Sequence, residues 1–582
     1  MDIFTDFQTY NRYYDKKSTT NNNIFYSSND TSSIKDNDIN SSIPIEPCNK
    51  SLQDKESLNT DISILYDIGF LIGSSVVIYK ASQLLYYSTK KIYSILPSNF
   101  VTSYYKRKRI AIAKTSMEKK LEITDHTYIT NLPLNGLDTT NILSLQDSYL
   151  KIRPEQHNNG KVSGTVYKFA DEDYLEFIMD SYKKFIFSNP LHPNIFPDIR
   201  LMEAEIIHMV KSLFHGDSNS CGSITSGRTE SIILACKAYR NWKKCTNNIS
   251  RPEIIISESA HASFHKAADI LNLNIVIVPN NKNRGTINTN IIHKYITKNT
   301  VCIVGSAPTY AHGVMDDIVE LSEIAIKYNI GLHVDCCLGG FLLPFLSLNG
   351  TITMLYDFRL EGVTSISVDT HKYGCCLNGS SIILYKNSTL KEFQYFITKE
   401  WNGGVYTAPT LAGSRSGSLV ATTWASLLYH GINGYTKIAK DILQLKNDLV
   451  QSIQKLDDIY IIGEPVTSII AISSDILDPY EISIHMNNLG WNLNLLHNPR
   501  AFQICLTEVH VKKNIKNSFI KDLTNSITKS KNSTNMFYTN KIGLYGTNIL
   551  LDDNSILGAV ANIYMNTLVT IPVINNYEDS AE

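Results

Sequence analysis

The 582-residue chain carries 54 Lys and Arg against 55 Asp and Glu, and its 43% hydrophobic content is that of a globular protein with a large core. The formal net charge of −1 argues against nucleic-acid binding, which needs a basic surface. The ten cysteines lack the paired C-x-x-C spacing of a zinc site, and the chain is too long for a small disulfide scaffold. We therefore expect reduced thiols, no metal and no nucleic-acid partner.

The N-terminal region divides into a tail and an apolar run. Residues 1–60 are rich in Ser, Asn and Asp without a periodic apolar pattern, which predicts a disordered tail. Residues 62–80 contain ISILYDIGFLIGSSVVIY, which approaches the length that crosses a bilayer. We predict a transmembrane helix here, with a buried or amphipathic helix as the alternative. Seven Lys and Arg residues between 80 and 109 then place the rest of the chain in the cytosol.

Short β-branched runs alternate with helical patterns from about residue 200 onward. This alternation predicts an α/β domain with a mainly parallel sheet at residues 201–430. Residues 81–200 are interpreted as a linker and N-terminal helical segment, and residues 431–582 as a small α+β domain and tail. The predicted elements are the strands Glu253–Ser257, Asn274–Val278, Val301–Gly305, Gly331–Val334, Val363–Val368, Ser381–Tyr385, Ser468–Ile472 and Ala501–Leu506 and the helices Thr229–Trp242 and Val319–Tyr328.

Two charged residues follow predicted strands of this domain. Lys372 lies in SISVDTHKYG (365–374), where a lone lysine would usually be a solvated surface residue. Asp335 lies in HVDCCLGG (333–340), at the sheet edge where ligands bind in open α/β folds, although a lone aspartate there could merely cap a helix. Opposite a pyridine nitrogen, such a carboxylate keeps the nitrogen protonated, so that the ring accepts electrons from a breaking bond.

Two further segments complete the pattern. CGSITSGRTES (221–231) is a small-residue turn before a helix predicted to start near Thr229, which suits phosphate binding or, alternatively, an ordinary N-cap. His261, in SAHASFHKA, could stack on an aromatic cofactor or be a packed or surface histidine. An anion-binding turn, a stacking His, an Asp and a Lys thus occur in order on successive strand ends. Pyridoxal-phosphate chemistry requires this arrangement.

Longer segments carry a resemblance to a known family. They are NPLHPNIFPDIRLMEAEI (189–206), GVMDD (313–317), HVDCCLGGF (333–341), FRLEGVTSISVDTHKYG (358–374), WNGGVYTAPTLAGSR (401–415) and GWNLN (490–494). In this order they resemble the sphingosine-1-phosphate lyase family of the group II decarboxylase-like superfamily. The resemblance runs from about residue 100 to about residue 570. It implies the type I pyridoxal-phosphate-dependent transferase fold, with a large parallel-rich sheet domain, a small α+β C-terminal domain and an N-terminal transmembrane helix.

The resemblance also implies residue roles around pyridoxal 5'-phosphate. Lys372 would be the catalytic residue that bonds to the cofactor, Asp335 would pair with the ring nitrogen, and His261 would stack on the ring. The other implied cofactor contacts are Cys337 against the ring and, at the phosphate, Arg228, Thr229, His371 and, from a second subunit, Ser414.

The implied reaction cleaves the C2–C3 bond of a phosphorylated sphingoid base by a retro-aldol step, which gives a fatty aldehyde and phosphoethanolamine. Tyr167, His192 and Asn378 match positions that approach the substrate phosphate. The resemblance further implies a homodimer with shared active sites. It also implies a single-pass protein of the endoplasmic reticulum membrane whose catalytic domain is cytosolic and whose substrate tail favours the bilayer.

Two positions depart from the family pattern. Asn378 stands where the family has a lysine, and Arg228 stands where it usually has a glycine, so its side chain either needs room or reaches towards the phosphate. We expect pyridoxal phosphate to bind, and turnover to depend on how these two positions are accommodated. The alternatives are an amino-acid decarboxylase and a membrane scaffold that kept the fold without turnover.

Overall fold

The computed structural model describes residues 128–154, 159–282, 284–533 and 557–571, with short pieces between 107 and 123 and at 542–543 and 550–551. The predicted tail (1–60) and the predicted transmembrane run (62–80) lie outside the described residues. Within the described part of the chain, no helix combines the length and the apolar character that a bilayer crossing needs. The chain divides into two compact units, and the elements considered below lie in the unit that contains residues 133–552.

The helices of this unit alternate with strands through most of its length. They are α1 (Thr139–Leu150), α2 (Glu172–Lys184), α3 (Pro197–Leu213), α4 (Arg228–Asn247), α5 (Ser263–Leu271), α6 (Thr289–Ile292), α7 (Ile318–Tyr328), α8 (Leu343–Leu348), α9 (Ser388–Glu392), α10 (Gly417–Ile453), α11 (Pro479–Asn488), α12 (Glu508–Lys512) and α13 (Lys516–Lys531). The other unit includes the helix Leu557–Thr567.

The strands form two larger sheets and two short hairpins. They are β1 (Cys221–Thr225), β2 (Glu253–Ser257), β3 (Asn274–Val278), β4 (Thr300–Ser306), β5 (Gly331–Asp335), β6 (Val363–Val368), β7 (Ser381–Tyr385), β8 (Phe396–Thr398), β9 (Tyr406–Ala408), β10 (Tyr460–Ile461), β11 (Ile469–Ser473), β12 (Asn494–Leu496), β13 (Ala501–Cys505), β14 (Ile542–Gly543) and β15 (Leu550–Leu551).

The larger sheet has seven strands in the order β1-β7-β6-β5-β4-β2-β3. Strands β6, β5, β4, β2 and β3 are parallel, while β7 runs antiparallel to both β6 and β1. Successive residues of one strand point to opposite faces of a sheet. Accordingly, Ile255 joins the core under α3, α8 and α10, whereas Ile254 and Ile256 join the core under α4 and α5. Helices thus cover both faces, and the ends of the strands remain as the place for a site.

The second sheet has four antiparallel strands in the order β10-β11-β13-β12. The long helix α10 precedes it and contacts α2, α3, α12 and α13. This helix is kinked at Gly431, whose φ of 53° and ψ of −172° are not helical. Glycine tolerates this positive φ because it has no Cβ. The domain boundary predicted between residues 430 and 431 stays a prediction.

The α/β architecture predicted from the sequence is confirmed, and the six strands predicted for the large sheet lie within one residue of β2 to β7. The segment 221–231 needs a correction. It is not a turn from its start, because Cys221–Thr225 forms the edge strand β1, paired along its whole length with Ser381–Tyr385. Only Ser226 and Gly227 make the turn, and α4 begins one residue earlier than predicted, at Arg228.

Candidate active site

A cavity of about 470 Å³ opens near the ends of β1, β2 and β6. Parallel strands bring the residues that follow their carboxyl ends to one edge of a sheet, which explains why distant segments meet here. Of the residues predicted for the site, those that line this cavity are Tyr167, Arg228, Thr229, His261, His371 and Lys372.

Lys372 lies four residues beyond β6, and its ammonium group is held by a carboxylate from the same turn. Its Nζ donates to Asp369 Oδ2, and His371 Nε2 lies 3.8 Å from the same oxygen. The Asp369 side chain is buried, whereas that of Lys372 is 15% exposed. Burial alone would raise the pKa of Asp369, but Lys372 and His371 lower it. Asp369 therefore stays a carboxylate and fixes the lysine at the cavity wall.

Asp335 is the last residue of β5 and is only 2% exposed. Its Oδ1 accepts hydrogen bonds from Cys337 N at 3.1 Å and Ser367 Oγ at 3.4 Å, and lies 3.6 Å from Arg228 Nε. Burial alone would raise the pKa of Asp335, but the Arg228 cation, followed by His261 and His333, lowers it to about 2. The carboxylate is therefore charged at neutral pH, as a partner for a pyridinium nitrogen must be.

A buried chain of hydrogen bonds extends behind Asp335. His333 Nε2 lies 3.2 Å from Ser367 Oγ, and His333 Nδ1 lies 2.7 Å from Ser365 Oγ. Burial lowers the pKa of His333 to about 4, although Asp335 acts in the opposite direction. The imidazole is therefore neutral at pH 7. It fixes the Ser367 hydroxyl that donates to the carboxylate.

His261 follows β2 and also lines the cavity. Its Nδ1 lies 2.8 Å from Ser263 Oγ, which in turn lies 3.0 Å from Thr229 Oγ1. The His261 ring meets Tyr310 edge-on, at 5.9 Å between centroids. Burial, together with the nearby Arg228 cation, lowers the pKa of His261 to about 3. A neutral, flat imidazole at this position suits stacking on an aromatic ring.

The turn before α4 suits a phosphate group. Ser226 and Gly227 line the cavity, and the N–H groups of the first turn of a helix attract anions. A Cβ built on Gly227 would lie 3.4 Å from His371 Cε1, so a side chain here would narrow the gap between the turn and that histidine. His371 Nδ1 is buried without a hydrogen-bond partner within the described part of the chain. The residues present therefore fit pyridoxal phosphate at its aldehyde, ring and phosphate ends.

Tyr167 lies in the cavity wall that comes from outside the large sheet. Its ring packs edge-on against Tyr373, at 5.0 Å between centroids. Burial raises the pKa of Tyr167 well above its usual range, so the phenol keeps its proton. The same wall includes Asn494 of β12 and Cys505 of β13, which bring the second sheet to the cavity.

The other predicted residues do not line the cavity of the single chain. Asp335 and Cys337 are buried just behind Arg228, while His192, Asn378 and Ser414 are exposed. Ser414 Oγ accepts a hydrogen bond from Asn189 Nδ2 at 3.1 Å. The fold therefore brings the predicted residues that follow strands to the cavity or directly behind it. The three exposed residues lie outside the cavity of the single chain.

The sequence analysis gave no role to several cavity residues, notably Asp369, Tyr310, Asn494 and Cys505. The sequence does carry a signal for Asp369, because it directly follows a predicted strand and precedes Lys372 by three residues. Asn494 closes the GWNLN segment, but nothing local in the sequence joins that segment to the large sheet. Within the described residues, no cluster of His, Cys, Asp and Glu could hold a metal ion.

Fold and site together define a pyridoxal-phosphate-dependent protein with a decarboxylase-like α/β fold. Residues 163–474 match the pyridoxal-dependent decarboxylase conserved domain. The chain is 38% identical to sphingosine-1-phosphate lyase 1 of Rattus norvegicus over 465 residues, covering 79% of this chain and 81% of the relative. It is 36% identical to the sphingosine-1-phosphate lyase of Drosophila melanogaster, covering 80% and 85%.

Among solved structures, the chain is similar to the sphingosine-1-phosphate lyase of Burkholderia pseudomallei. The TM-score is 0.71 at 31% identity, and the match covers 77% of this chain and 99% of that one. The chain therefore belongs to the sphingosine-1-phosphate lyase family. The resemblance seen in the sequence is confirmed.

Proposed function

We propose that this protein is a pyridoxal-phosphate-dependent lyase that cleaves the C2–C3 bond of phosphorylated sphingoid bases. The products are a fatty aldehyde and phosphoethanolamine. The observation that carries the proposal is a single cavity that holds Lys372, His261 and the turn before α4, with Asp335 directly behind its wall. Relatives named as sphingosine-1-phosphate lyases, at 36–38% identity over most of the chain, support the same substrate class.

When bound, pyridoxal phosphate supplies an aldehyde that condenses with amines and a ring that accepts the electron pair of a breaking bond. Lys372 provides the protein amine, which Asp369 holds at the cavity wall. Asp335 supplies a permanent negative charge for the ring nitrogen. His261, which is neutral, would stack on the ring. Cys337 would lie near the ring only from behind Arg228, because it is buried and does not line the cavity. Thr229, His371 and the backbone N–H groups at the start of α4 would hold the phosphate.

The cleavage moves two protons on the substrate. The C3 hydroxyl loses its proton as the C2–C3 bond breaks, and C2 then gains one. Tyr167 keeps its phenol proton because burial raises its pKa, so it serves as a hydrogen-bond donor in the cavity. Lys372 Nζ is the amine at the cavity wall that can carry a proton between these steps.

The substrate phosphate and the cofactor phosphate have proposed contacts of which only some line the cavity of one chain. We assign Tyr167, His192 and Asn378 to the substrate phosphate and Ser414 to the cofactor phosphate. Because His192, Asn378 and Ser414 are exposed in the single chain, a second copy that brings Ser414 to the cavity would complete the site. The functional form is therefore a homodimer.

Attachment to the endoplasmic reticulum membrane by residues 62–80, with the catalytic domain in the cytosol, is also part of the proposal. The apolar run and the following Lys and Arg residues support it. Deleting residues 1–80 should move the protein from the membrane pellet to the supernatant without abolishing cofactor binding. Retention of the truncated protein in the pellet after a carbonate wash would contradict anchoring by this run.

The direct test is incubation of the full-length protein with dihydrosphingosine 1-phosphate, with mass spectrometry of long-chain aldehyde and phosphoethanolamine. We expect both products in equal amounts, and a loss of at least about 1000-fold in Lys372→Ala, because the amine that bonds to the cofactor is gone. Glutamate and aromatic amino acids serve as control substrates with CO₂ as the readout. Release of CO₂ without aldehyde would contradict the lyase proposal in favour of a decarboxylase. A protein with neither activity would favour a non-catalytic scaffold.

A further inference from the structure

Arg228 connects the turn before α4 with Asp335. As the first residue of α4, it has its backbone at the turn that suits a phosphate group. Its Nε lies 3.6 Å from Asp335 Oδ1, at the end of β5. Arg228 lines the cavity and Asp335 does not. The guanidinium group therefore stands between the open space and the carboxylate that the ring nitrogen would use.

Besides Asp335, the guanidinium group interacts with the Cys337 side chain. Arg228 is 6% exposed, and its buried Nε and Nη2 have no hydrogen-bond partner among the residues that the structure describes. Removing a cation from water costs several kcal/mol, and only a close, well-bonded partner repays this cost. The ion pair with Asp335 is 3.6 Å long and leaves two guanidinium nitrogens without hydrogen bonds, so it offsets only part of the desolvation cost of Arg228. It is therefore an interaction that another cation can replace.

The Asp335 oxygen that faces Arg228 already has other partners. This Oδ1 accepts from Cys337 N and Ser367 Oγ, and Arg228 covers the approach from the cavity. Asp369, in contrast, has an unused oxygen. Its Oδ1 is buried without a hydrogen-bond partner in the described part of the chain, and its negative charge raises the pKa of Arg228. A guanidinium group that leaves Asp335 thus has a second carboxylate at the same cavity.

We propose that Arg228 is an internal cation that holds Asp335 in the cofactor-free protein and is displaced when the cofactor's pyridinium ring binds. This inference rests on the cofactor site of the proposed function. Its consequence is a site that starts in a closed state, so that the apparent affinity for the cofactor is the intrinsic affinity multiplied by the fraction of open molecules. Half-maximal cofactor loading then requires a higher cofactor concentration than in a site with an open carboxylate.

The test compares full-length wild-type protein, stripped of cofactor, with Arg228→Met and Arg228→Lys. The probe is pyridoxamine phosphate, which carries the ring and phosphate but has no aldehyde to bond with Lys372. In calorimetric titrations we expect Arg228→Met to bind this probe about tenfold more tightly than wild type, because no guanidinium has to leave. Arg228→Lys keeps a cation and should lie closer to wild type.

Thermal unfolding adds a readout that a merely structural role would not give. Without the probe, Arg228→Met should unfold at a lower temperature than wild type, because Asp335 loses its cation. Saturating pyridoxamine phosphate should remove or reverse this difference, because the pyridinium then pairs with Asp335 in both proteins. In an Asp335→Asn background, Arg228→Met should no longer tighten probe binding and should no longer lower the unfolding temperature of the probe-free protein.

Two results would overturn the inference and can be told apart. If all variants bind the probe with the wild-type affinity, Arg228 does not guard the carboxylate, and the proposed cofactor site still stands. If no variant binds pyridoxamine phosphate or pyridoxal phosphate, the inference fails together with the cofactor site.

Discussion

Two groups of residues assigned to the site differ in how the fold holds them. The strand-end group consists of the buried Asp335 and Asp369 and the partly buried Lys372, which ion pairs and hydrogen bonds hold in place. The surface group, which consists of His192, Asn378 and Ser414, is exposed and lies outside the cavity. Both groups come from segments that resemble one family. The difference teaches that a single chain gathers the residues proposed for the cofactor ring, whereas Ser414 and the proposed substrate-phosphate residues His192 and Asn378 stay outside its cavity.

The difference in burial also has an energetic meaning. Charges inside the protein interact more strongly than charges in water, so the strand-end group can hold fixed ionisation states. Exposed polar residues are screened and contribute only when another surface removes the water around them. We therefore expect large effects from changes in the strand-end group and smaller, assembly-dependent effects from the surface group.

Asp335→Asn tests the difference between the two groups with the largest expected effect. The change removes the negative charge that keeps a ring nitrogen protonated, and we expect kcat to fall by about 100-fold, the size typical of losing one preorganised electrostatic group. Asp316→Asn is the matched control. Asp316 is also a buried carboxylate, but it accepts hydrogen bonds from Ile287 N and Ser306 N away from the cavity. A steady-state assay in which both variants lose the same activity would contradict a special role for Asp335.

Ser414→Asp tests whether the surface group acts through a second copy. An aspartate beside the cofactor phosphate would repel it, so we expect at least about tenfold weaker activity, while Ser414→Ala should retain most of it. The informative step is to refold this variant together with Lys372→Ala. If each site takes Ser414 from the other subunit, a mixture of two poorly active proteins should regain roughly a quarter of the wild-type sites. No regain in a mixture shown to exchange subunits would place Ser414 outside the shared site.

The strand-end group was accessible from the sequence for a simple reason. Strand patterns such as GLHV and VTSISV have period-two or continuous apolar character, and the polar residue that follows each one lies at the same sheet edge. Asp335 and Lys372 could therefore be placed near each other without a structure. Only the structure showed that Asp369 holds Lys372, because the partner of a lysine depends on side-chain direction within a tight turn.

Other parts of the site depended on long-range packing. Strand β1 was missed because CGSIT is rich in small residues, and its strand character comes from pairing with β7, about 160 residues later in the chain. The position of Arg228 against Asp335 was missed for a similar reason. The sequence shows that Arg228 stands where the family usually has a glycine. It does not show whether the arginine side chain reaches the phosphate-binding turn or Asp335.

The hydrogen-bond chain behind Asp335 gives a smaller, pH-dependent effect. The pKa of His333 is about 4 in the folded protein, below the value of about 6.5 for an unfolded chain. The unfolded state therefore binds more protons between these values, and stability is lost as the pH falls from about 6.5 towards 4.

We expect His333→Gln to lose less stability than wild type between pH 7.5 and pH 5.5, by roughly 1 kcal/mol in urea unfolding. The exposed His192 is the matched control, because His192→Gln removes a histidine without removing a buried one. Equal pH dependence in wild type and His333→Gln would show that His333 does not stay neutral in the folded protein.

The smallest effect is expected from Asn378→Lys. The side chain at this position is exposed and does not line the cavity, so an added cation there is well hydrated and screened. We expect kcat/KM to change by less than about threefold at physiological salt, with any gain confined to low ionic strength, where a lysine attracts a phosphorylated substrate from a distance. A large gain that persists at high salt would mean that residue 378 is shielded from water in the assembled site, and that its neutral amide limits turnover in the natural sequence.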